Sequence, residues 1–175
     1  MNERKVNVNR EHAGSGDRLP PAEELAGPAF EFVNGQRIGT LSTMSVKHPG
    51  YPYGSLCPYA LEDRGQPIFL MSSMAVHAKN LRADAHVSLL VVDPAAQQNP
   101  LGTGRATLIG DVVMVNDDER DAVTAPYLER HPESAQWAHF GDFQFYRLVL
   151  RDIYYVGRFG VMGWISPRQF ENAGS

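Results

Sequence analysis

The chain has 175 residues, of which 43% are hydrophobic and 21% charged, with a formal net charge of −4. This length suits one compact domain, or a domain with an arm, and the mixed charge argues against a nucleic-acid-binding surface. The single cysteine, Cys57, excludes an intrachain disulfide, and no apolar run reaches the roughly 20 residues of a transmembrane helix. The polar N-terminus lacks the apolar core of a secretory signal, so a cytoplasmic protein is expected.

The first half of the chain predicts one helix followed by strands. Residues 1–21 are polar and form an expected flexible N-terminal arm, and residues 22–34 predict a short helix with one apolar side. Pro58 lies inside a predicted strand and indicates an edge position or a bulge there. The predicted strands are separated by Gly, Pro and charged turn residues and cover 37–46, 53–61 and 67–71.

The second half of the chain also predicts mainly strands. The nearly continuous apolar run over 86–92 is typical of a strand that is covered on both faces. Residues 105–115 predict a long alternating strand with a bulge at Gly110. The remaining elements are short helices from about 117, interrupted by Pro126, and from Pro132 to near Trp137, followed by strands over 143–150 and 153–156.

Together these elements predict a mainly β fold of the α+β class. Six or seven strands with hairpin-length connections, and helices between only some of them, favour an antiparallel barrel with helices packed outside. A doubly wound fold is excluded, because strands and helices do not alternate regularly and neither GxGxxG nor GxxxxGK occurs.

The segment over 70–84 carries the most informative local pattern. An apolar strand ends in Ser72 and Ser73 and enters a short helix that carries His77, Lys79 and Asn80. The first turn of a helix has free backbone N–H groups and a partial positive charge, so these residues could hold a phosphate group. The alternative is an N-cap serine that opens a solvated surface helix.

Sequence motifs of hydrolases and metal proteins are absent from the chain. No GxSxG surrounds a serine, and Cys57 lies mid-strand, where a small buried thiol is ordinary. The six histidines form no HxH or HxxxH pair, and His131, which could meet His139 in space, fits the start of a helix better. The sequence therefore predicts no metal site and identifies no catalytic residue.

A Gly- and aromatic-rich segment, GRFGVMGWI over 157–165, follows the last predicted strand. Phe159 and Trp164 lie among its glycines. Glycine lets the backbone approach a flat ligand, on which an aromatic ring can stack. The alternative is that these rings simply fill the core, as aromatic residues often do in strands.

The phosphate-type turn, the antiparallel strands and the aromatic segment together resemble the FMN-binding split-barrel superfamily, to which pyridoxamine 5'-phosphate oxidase belongs. The resemblance is closest to the haem-utilisation branch and covers about 25–165. It implies a six- to seven-stranded antiparallel split barrel over 22–166, followed by a short C-terminal tail over 167–175. The similar pieces are RIGTLSTMS (37–45), YPYGSLCPYALEDRG (51–65), LMSSMAVHAKNLRADAHVSLLV (70–91), GRATLIG (104–110), YLERHPESA (127–135) and HFGDFQFYRLVLRDIYYVGRFGVMGWI (139–165).

The resemblance implies a homodimer with FMN held between the two subunits. The flavin ring would be lined by Gly54, Ser55 and Leu56. Arg105 would reach the cofactor from the following long strand. The phosphate would lie near Ser72, Ser73, His77, Lys79 and Asn80. The last segment would contribute Phe159, Gly160 and Trp164.

Several departures from the resembled enzymes narrow the expected function. Pyridoxamine phosphate oxidases have basic residues where this chain has Gly54 and Tyr59, a lysine in place of His77 and a glutamine in place of Arg105. Their Arg-x-His tail is missing after Tyr155, which argues against pyridoxamine phosphate oxidation. Haem-utilisation enzymes carry a ligand histidine in a further C-terminal region, whereas the last histidine of this chain is His139.

The expected function is therefore an FMN-dependent oxidoreductase that acts on an unidentified small substrate. One alternative is a haem-binding relative whose flavin site is altered or empty, and another is a non-enzymatic dimeric interaction module. If His77 faces the phosphate, the phosphate favours its protonated form, so flavin affinity should fall as pH rises through the ligand-bound pKa of His77.

Overall fold

The computed structural model describes residues 19–158 and 160–174, in which eight strands form one curled antiparallel sheet. The predicted arm thus lies almost entirely outside the described residues, as does Phe159. The strands are β1 (Ile38–Met44), β2 (Pro52–Pro58), β3 (Ala60–Leu61), β4 (Pro67–Ser72), β5 (His86–Val92), β6 (Arg105–Met114), β7 (Phe143–Arg158) and β8 (Val161–Ile165). The helices are α1 (Ala22–Gly35), α2 (Val76–Ala83), α3 (Arg120–Arg130) and α4 (Pro167–Ala173).

The long strand β7 organises the sheet. The strand order is β2-β1-β5-β6-β7-β4-β3, and β8 adds to β7 beside this path. The first part of β7 pairs with β4 and its last part pairs with β8, while β6 follows it from Tyr146 to Val156. Two strands therefore share one edge of β7, and the predicted antiparallel split barrel with outer helices is confirmed.

The core covers only one face of most strands. In β5, Val87, Leu89 and Val91 are buried, whereas Leu90 and Val92 are well exposed. The prediction that this strand is covered on both faces is wrong for the single chain, because the described residues supply no second layer on the outer side. Period-two alternation of this kind is typical of antiparallel sheets with one open face.

Helices α1 and α4 pack together against the sheet. The buried side of α1 includes Leu25, Ala29 and Val33, as the sequence predicts. Residues 167–173, which the sequence predicts as part of a C-terminal tail, form α4, whose start is fixed by a capping box between Ser166 and Gln169. Phe170 of this helix is fully buried.

The predicted strand 53–61 is divided at Pro58. Strand β2 ends there as one edge of the sheet, and the chain passes through Tyr59 to β3 at the other edge. The edge position of Pro58 is thus confirmed, because proline lacks the N–H that an inner strand needs. Tyr59 is buried at the crossing, and its hydroxyl donates a 2.5 Å hydrogen bond to the carbonyl oxygen of Val33.

The predicted bulge at Gly110 is confirmed, and the space around this glycine allows a prediction about stability. The register with β7 shifts between Ile109 and Gly110, and a Cβ atom on Gly110 would lie 2.1 Å from the carbonyl oxygen of Val149. We expect Gly110→Ala to lower the free energy of unfolding, measured by urea denaturation, by about 3 kcal/mol, because backbone atoms must move.

Gly27→Ala is the matched control, since nothing lies within 4 Å of a Cβ atom at that helical position. It should raise the free energy of unfolding by roughly 0.5–1 kcal/mol. Equal stability of Gly110→Ala and the parent protein would show that the close approach to β7 is relieved without cost.

Candidate functional site

One transverse row of side chains crosses six strands on the outer face of the sheet. Cross-strand pairing joins the row without interruption, and side chains of paired residues lie on the same face. The face is the one opposite the core. We call this set the outer row; in order across the sheet it consists of Leu56, Thr40, Leu90, Thr107, Tyr154 and Trp164.

The outer row exposes large apolar groups on several strands. Leu56 is 70% exposed and Leu90 is 38% exposed. Ile109, two positions beyond Thr107 on the same face, is 37% exposed. The rings of Tyr154 and Trp164 lie 5.0 Å apart and are tilted to one another. Exposed apolar side chains grouped on one face of a sheet indicate an interaction or ligand-binding site.

Two of the three predicted β2 residues belong to this face. Gly54 precedes Leu56 by two positions and therefore shares its side of the strand, whereas Ser55 alternates to the other side and is half-buried. A Cβ atom on Gly54 would meet only Thr40, at 3.4 Å. The surface over Gly54 is therefore open to the close approach of a flat ligand.

Arg105 lies at the end of the same face. It precedes Thr107 by two positions on β6 and pairs with Val92 and Val156. Its Nη1 atom is buried and lacks a hydrogen-bond partner among the described residues. A buried guanidinium N–H without a partner is costly, and an anionic group can satisfy it with a strong charge-assisted bond. Gly160 lies at the same end, in the β7–β8 turn, with a φ of 78° that favours glycine.

The β4–α2 turn, residues 72–75, is held by a carboxylate of the protein itself. The Ser72 hydroxyl donates a 2.8 Å hydrogen bond to Oδ2 of Asp142 and accepts one from the N–H of Met74 at 3.2 Å. The Ser73 N–H donates to the Asp142 carbonyl oxygen at 2.7 Å. The N-cap of α2 is Ala75 rather than a serine, so the N-cap-serine alternative is wrong.

The predicted phosphate residues on α2 have different roles in the fold. Asn80 is 2% exposed; its side-chain amide donates to the hydroxyl of Thr43 at 2.9 Å, and its oxygen accepts from the N–H of Val46 at 3.0 Å. Asn80 therefore fastens α2 to the end of β1. Lys79 is exposed, and burial lowers the pKa of the half-buried His77 imidazole below its usual value.

Arg105 and the β4–α2 turn lie at opposite ends of β7 within one chain. Arg105 pairs with Val156, while Ser72 pairs with Phe143. At roughly 3.3 Å per residue, about 40 Å of strand separates these two positions along β7. One chain thus brings Gly54, Leu56, Arg105 and Trp164 to one face, and it does not bring Arg105 to the turn.

Sequence analysis missed a histidine on the outer face. His86 precedes Leu90 by four positions on β5, and its Nδ1 lies 2.6 Å from Oδ1 of Asp84. The hydrogen bond to Asp84 raises the pKa of His86, and the backbone N–H of His86 lowers the pKa of Asp84. The Nε2 atom is 3.7 Å from Asp111, beyond hydrogen-bonding distance. In the sequence, the Asp-x-His spacing at the start of a strand is the pattern that indicates such a carboxylate–histidine pair.

The histidine and the cysteine that the sequence offers as candidate reactive groups, His131 and Cys57, are buried in the fold. His131 is buried, and its Nε2 lies 2.8 Å from the carbonyl oxygen of Tyr59, so this nitrogen carries the proton. Burial raises the pKa of the Cys57 thiol to about 12, which disfavours the reactive thiolate. Within 19–158 and 160–174, no group of three metal-ligating side chains is found, and no helix is long and apolar enough to cross a membrane.

Comparison with known proteins identifies the family. The family model described as CREG, beta-barrel matches residues 20–172. The chain belongs to the CREG β-barrel family. The resemblance to the split-barrel superfamily and its haem-utilisation branch is confirmed with it.

Several relatives carry haem in their names. The non-canonical heme oxygenase HOZ, chloroplastic, of Arabidopsis thaliana is 40% identical over 145 residues, which are 83% of this chain and 43% of that protein. The heme binding protein of Mycobacterium smegmatis has a TM-score of 0.77 and 28% identity, over 89% of this chain and 62% of that one. The HutZ haem storage protein of Vibrio cholerae has a TM-score of 0.60 and 26% identity, over 70% of this chain and 87% of that one. This chain thus spans less than two thirds of the first two relatives.

Proposed function

We propose that the protein binds haem on the outer row, between two copies of the chain, as the substrate of an oxygenase-type reaction. One observation carries the proposal: beside the outer row, two positions along β6 from Thr107, lies a guanidinium group, that of Arg105, whose buried Nη1 has no partner among the described residues. Haem is a flat apolar ring with two carboxylates at one edge, and these features match that row. The names of the relatives support the same ligand.

The apolar and aromatic side chains of the outer row would contact the porphyrin ring. Leu56 and Leu90 offer exposed aliphatic surface on β2 and β5, and Trp164 offers a ring edge or face on β8. The open surface over Gly54 permits close approach of the ring. Arg105 would hold a propionate, because a guanidinium fork suits a carboxylate.

His86 would ligate the iron in this proposal. It stands on the outer face; Asp84 holds its Nδ1, and its Nε2 lies 3.7 Å from Oδ1 of Asp111, an ion-pair contact that the iron would replace. A histidine that binds a metal usually donates its other ring N–H to a carboxylate or carbonyl, which fixes the tautomer and the ring orientation. The Asp84–His86 pair provides this arrangement.

A second copy of the chain is part of the proposal, because one sheet face cannot enclose a flat ligand. Two outer rows related by a twofold axis would present the same apolar surface to each other. Their contact would exclude water from the ring. Bound haem supplies the iron that activates oxygen; the side chains of this chain bind it, orient it and keep its surroundings dry.

The FMN-dependent oxidoreductase predicted from the sequence is the second candidate. The fold favours it, and Gly54, Leu56 and Trp164 suit a flavin ring as well as a porphyrin. The phosphate end of FMN fits poorly, because Ser72 already donates to Asp142 and the Asn80 amide is engaged by Thr43 and Val46. A non-enzymatic dimeric module is the third possibility and is an outcome of the same experiment.

The test is a pair of titrations, one with hemin and one with FMN, followed by absorbance and fluorescence. We expect a saturating Soret band with hemin and no saturable quenching of FMN fluorescence. His86→Ala should change the position of the Soret band, and His139→Ala, which removes an exposed histidine elsewhere, should not. Ascorbate and oxygen should then convert the bound haem to a linear tetrapyrrole.

Three results would contradict this proposal. Tight FMN binding without a Soret band would identify a flavoprotein, and failure to bind either ligand would favour the interaction module. A stable Soret band in the presence of ascorbate and oxygen would leave haem binding intact and refute the oxygenase step.

A further inference from the structure

A carboxylate of the same chain, that of Asp142, lies against the β4–α2 turn. Helix α2 begins at Val76, and the N–H of Met74, in the turn just before it, donates a 3.2 Å hydrogen bond to the Ser72 hydroxyl. The free N–H groups of a helix N-terminus favour an anion nearby. The carboxylate of Asp142 accepts the hydrogen bond of that hydroxyl at 2.8 Å. The backbone of Asp142 is also held in place, because its carbonyl oxygen accepts a 2.7 Å hydrogen bond from the N–H of Ser73.

We infer that Asp142 is a ligand-selecting residue: its carboxylate occupies the β4–α2 turn and closes it to phosphate monoesters, the phosphate of FMN included. The inference deepens the proposed function and rests on it in one respect, that haem rather than FMN is the natural ligand. The excluded ligand class is defined by its dianionic head group, whatever organic group it carries.

The charges around the turn explain why one carboxylate decides the outcome. The cations on α2 are Lys79, which is exposed, and Arg82, whose Nη1 lies 3.5 Å from the carbonyl oxygen of Ser73. His77 is half-buried, and burial favours its neutral form. A phosphate placed at Ser72 would therefore meet a full negative charge at contact distance, against one nearby guanidinium and the partial charge of a short helix.

Asp142→Asn removes this charge and keeps the local fold. The asparagine side chain can still accept from Ser72, and its backbone carbonyl can still accept from Ser73. We expect FMN to bind this variant at least tenfold more tightly than the parent protein, which corresponds to 1.4 kcal/mol, as measured by fluorescence quenching. Inorganic phosphate should compete with FMN in the variant and raise its melting temperature.

Matched variants separate charge from shape. Asp142→Glu keeps the charge, Ser72→Ala removes only the hydroxyl, and Asp118→Asn makes the same charge change at an exposed position in the turn before α3. None of these three should gain FMN or phosphate binding. Asp142→Ser, which is small and neutral, should behave like Asp142→Asn and provides a second route if the asparagine variant does not fold.

The inference is overturned if the parent protein and both neutral Asp142 variants bind FMN with equal affinity. A gain in Asp118→Asn equal to that in Asp142→Asn would also overturn it, since net charge alone would then be responsible. Hemin titration of the same variants distinguishes this result from failure of the proposed function. A parent protein that ignores hemin refutes haem binding, while a gain of FMN binding in Asp142→Asn still supports the role of Asp142.

Discussion

We expect Leu90→Arg to abolish both the proposed pairing of two copies of the chain and the proposed saturable binding of hemin. Leu90 lies inside the outer row, paired with Thr40 on one side and Thr107 on the other, and is 38% exposed in the single chain. A charge placed inside a packed apolar interface loses its hydration and has no partner. We expect the dissociation constant of the proposed dimer, measured by sedimentation velocity, to rise at least a hundredfold, which corresponds to about 2.7 kcal/mol.

Val46→Arg is the control for this change. Val46 is 56% exposed but follows the end of β1, outside the sheet, so the same substitution should leave both the dimer and hemin binding unchanged. A Leu90→Arg protein that still sediments as a dimer would show that the outer row is not the contact between the two copies. A parent protein that is monomeric at micromolar concentration would refute the shared site altogether.

Arg105→Ala should weaken hemin binding by roughly 10- to 100-fold. The expected loss follows from one charge-assisted contact to a carboxylate, which contributes about 1.5–3 kcal/mol. The hemin affinity of Arg105→Lys should lie between those of the parent protein and Arg105→Ala, because lysine keeps the charge and loses the planar fork. Arg64→Ala removes an exposed arginine in the turn between β3 and β4 and should leave hemin affinity unchanged.

The stability of Arg105→Ala offers an independent readout. Because Nη1 is buried without a partner among residues 19–158 and 160–174, removing the guanidinium should leave the free energy of unfolding unchanged or raise it. Hemin should then stabilise the parent protein against heat more than the variant. A marked loss of ligand-free stability, with unchanged hemin affinity, would assign Arg105 a structural role instead.

Local sequence patterns predicted most of the sheet, because they report features that the backbone itself imposes. Alternation located the strands, Pro58 marked the edge at which its missing N–H is tolerated, and Gly110 marked the bulge where a Cβ atom has no room. The prediction for the apolar run 86–92 is wrong for a physical reason. An apolar residue on a strand looks the same in the sequence whether a helix, a ligand or a second copy covers it.

Contacts between distant parts of the chain could not be predicted in the same way. Asp142 and Ser72 are 70 residues apart, and their hydrogen bond depends on the pairing of β4 with β7. Nothing near Ser72 in the sequence shows that a carboxylate fills the turn. Helix α4 is different, because its capping residues, Ser166, Pro167 and Gln169, are neighbours in the sequence and form a local start signal.

Sedimentation velocity of the hemin-loaded protein, recorded at 280 nm and at the Soret wavelength, tests haem binding between two copies most directly. We predict that both signals form one boundary at the sedimentation coefficient of a dimer, and that Leu90→Arg yields a monomer boundary without Soret absorbance. A Soret signal that travels with a monomer, or that does not travel with the protein, would contradict a haem site formed by two outer rows.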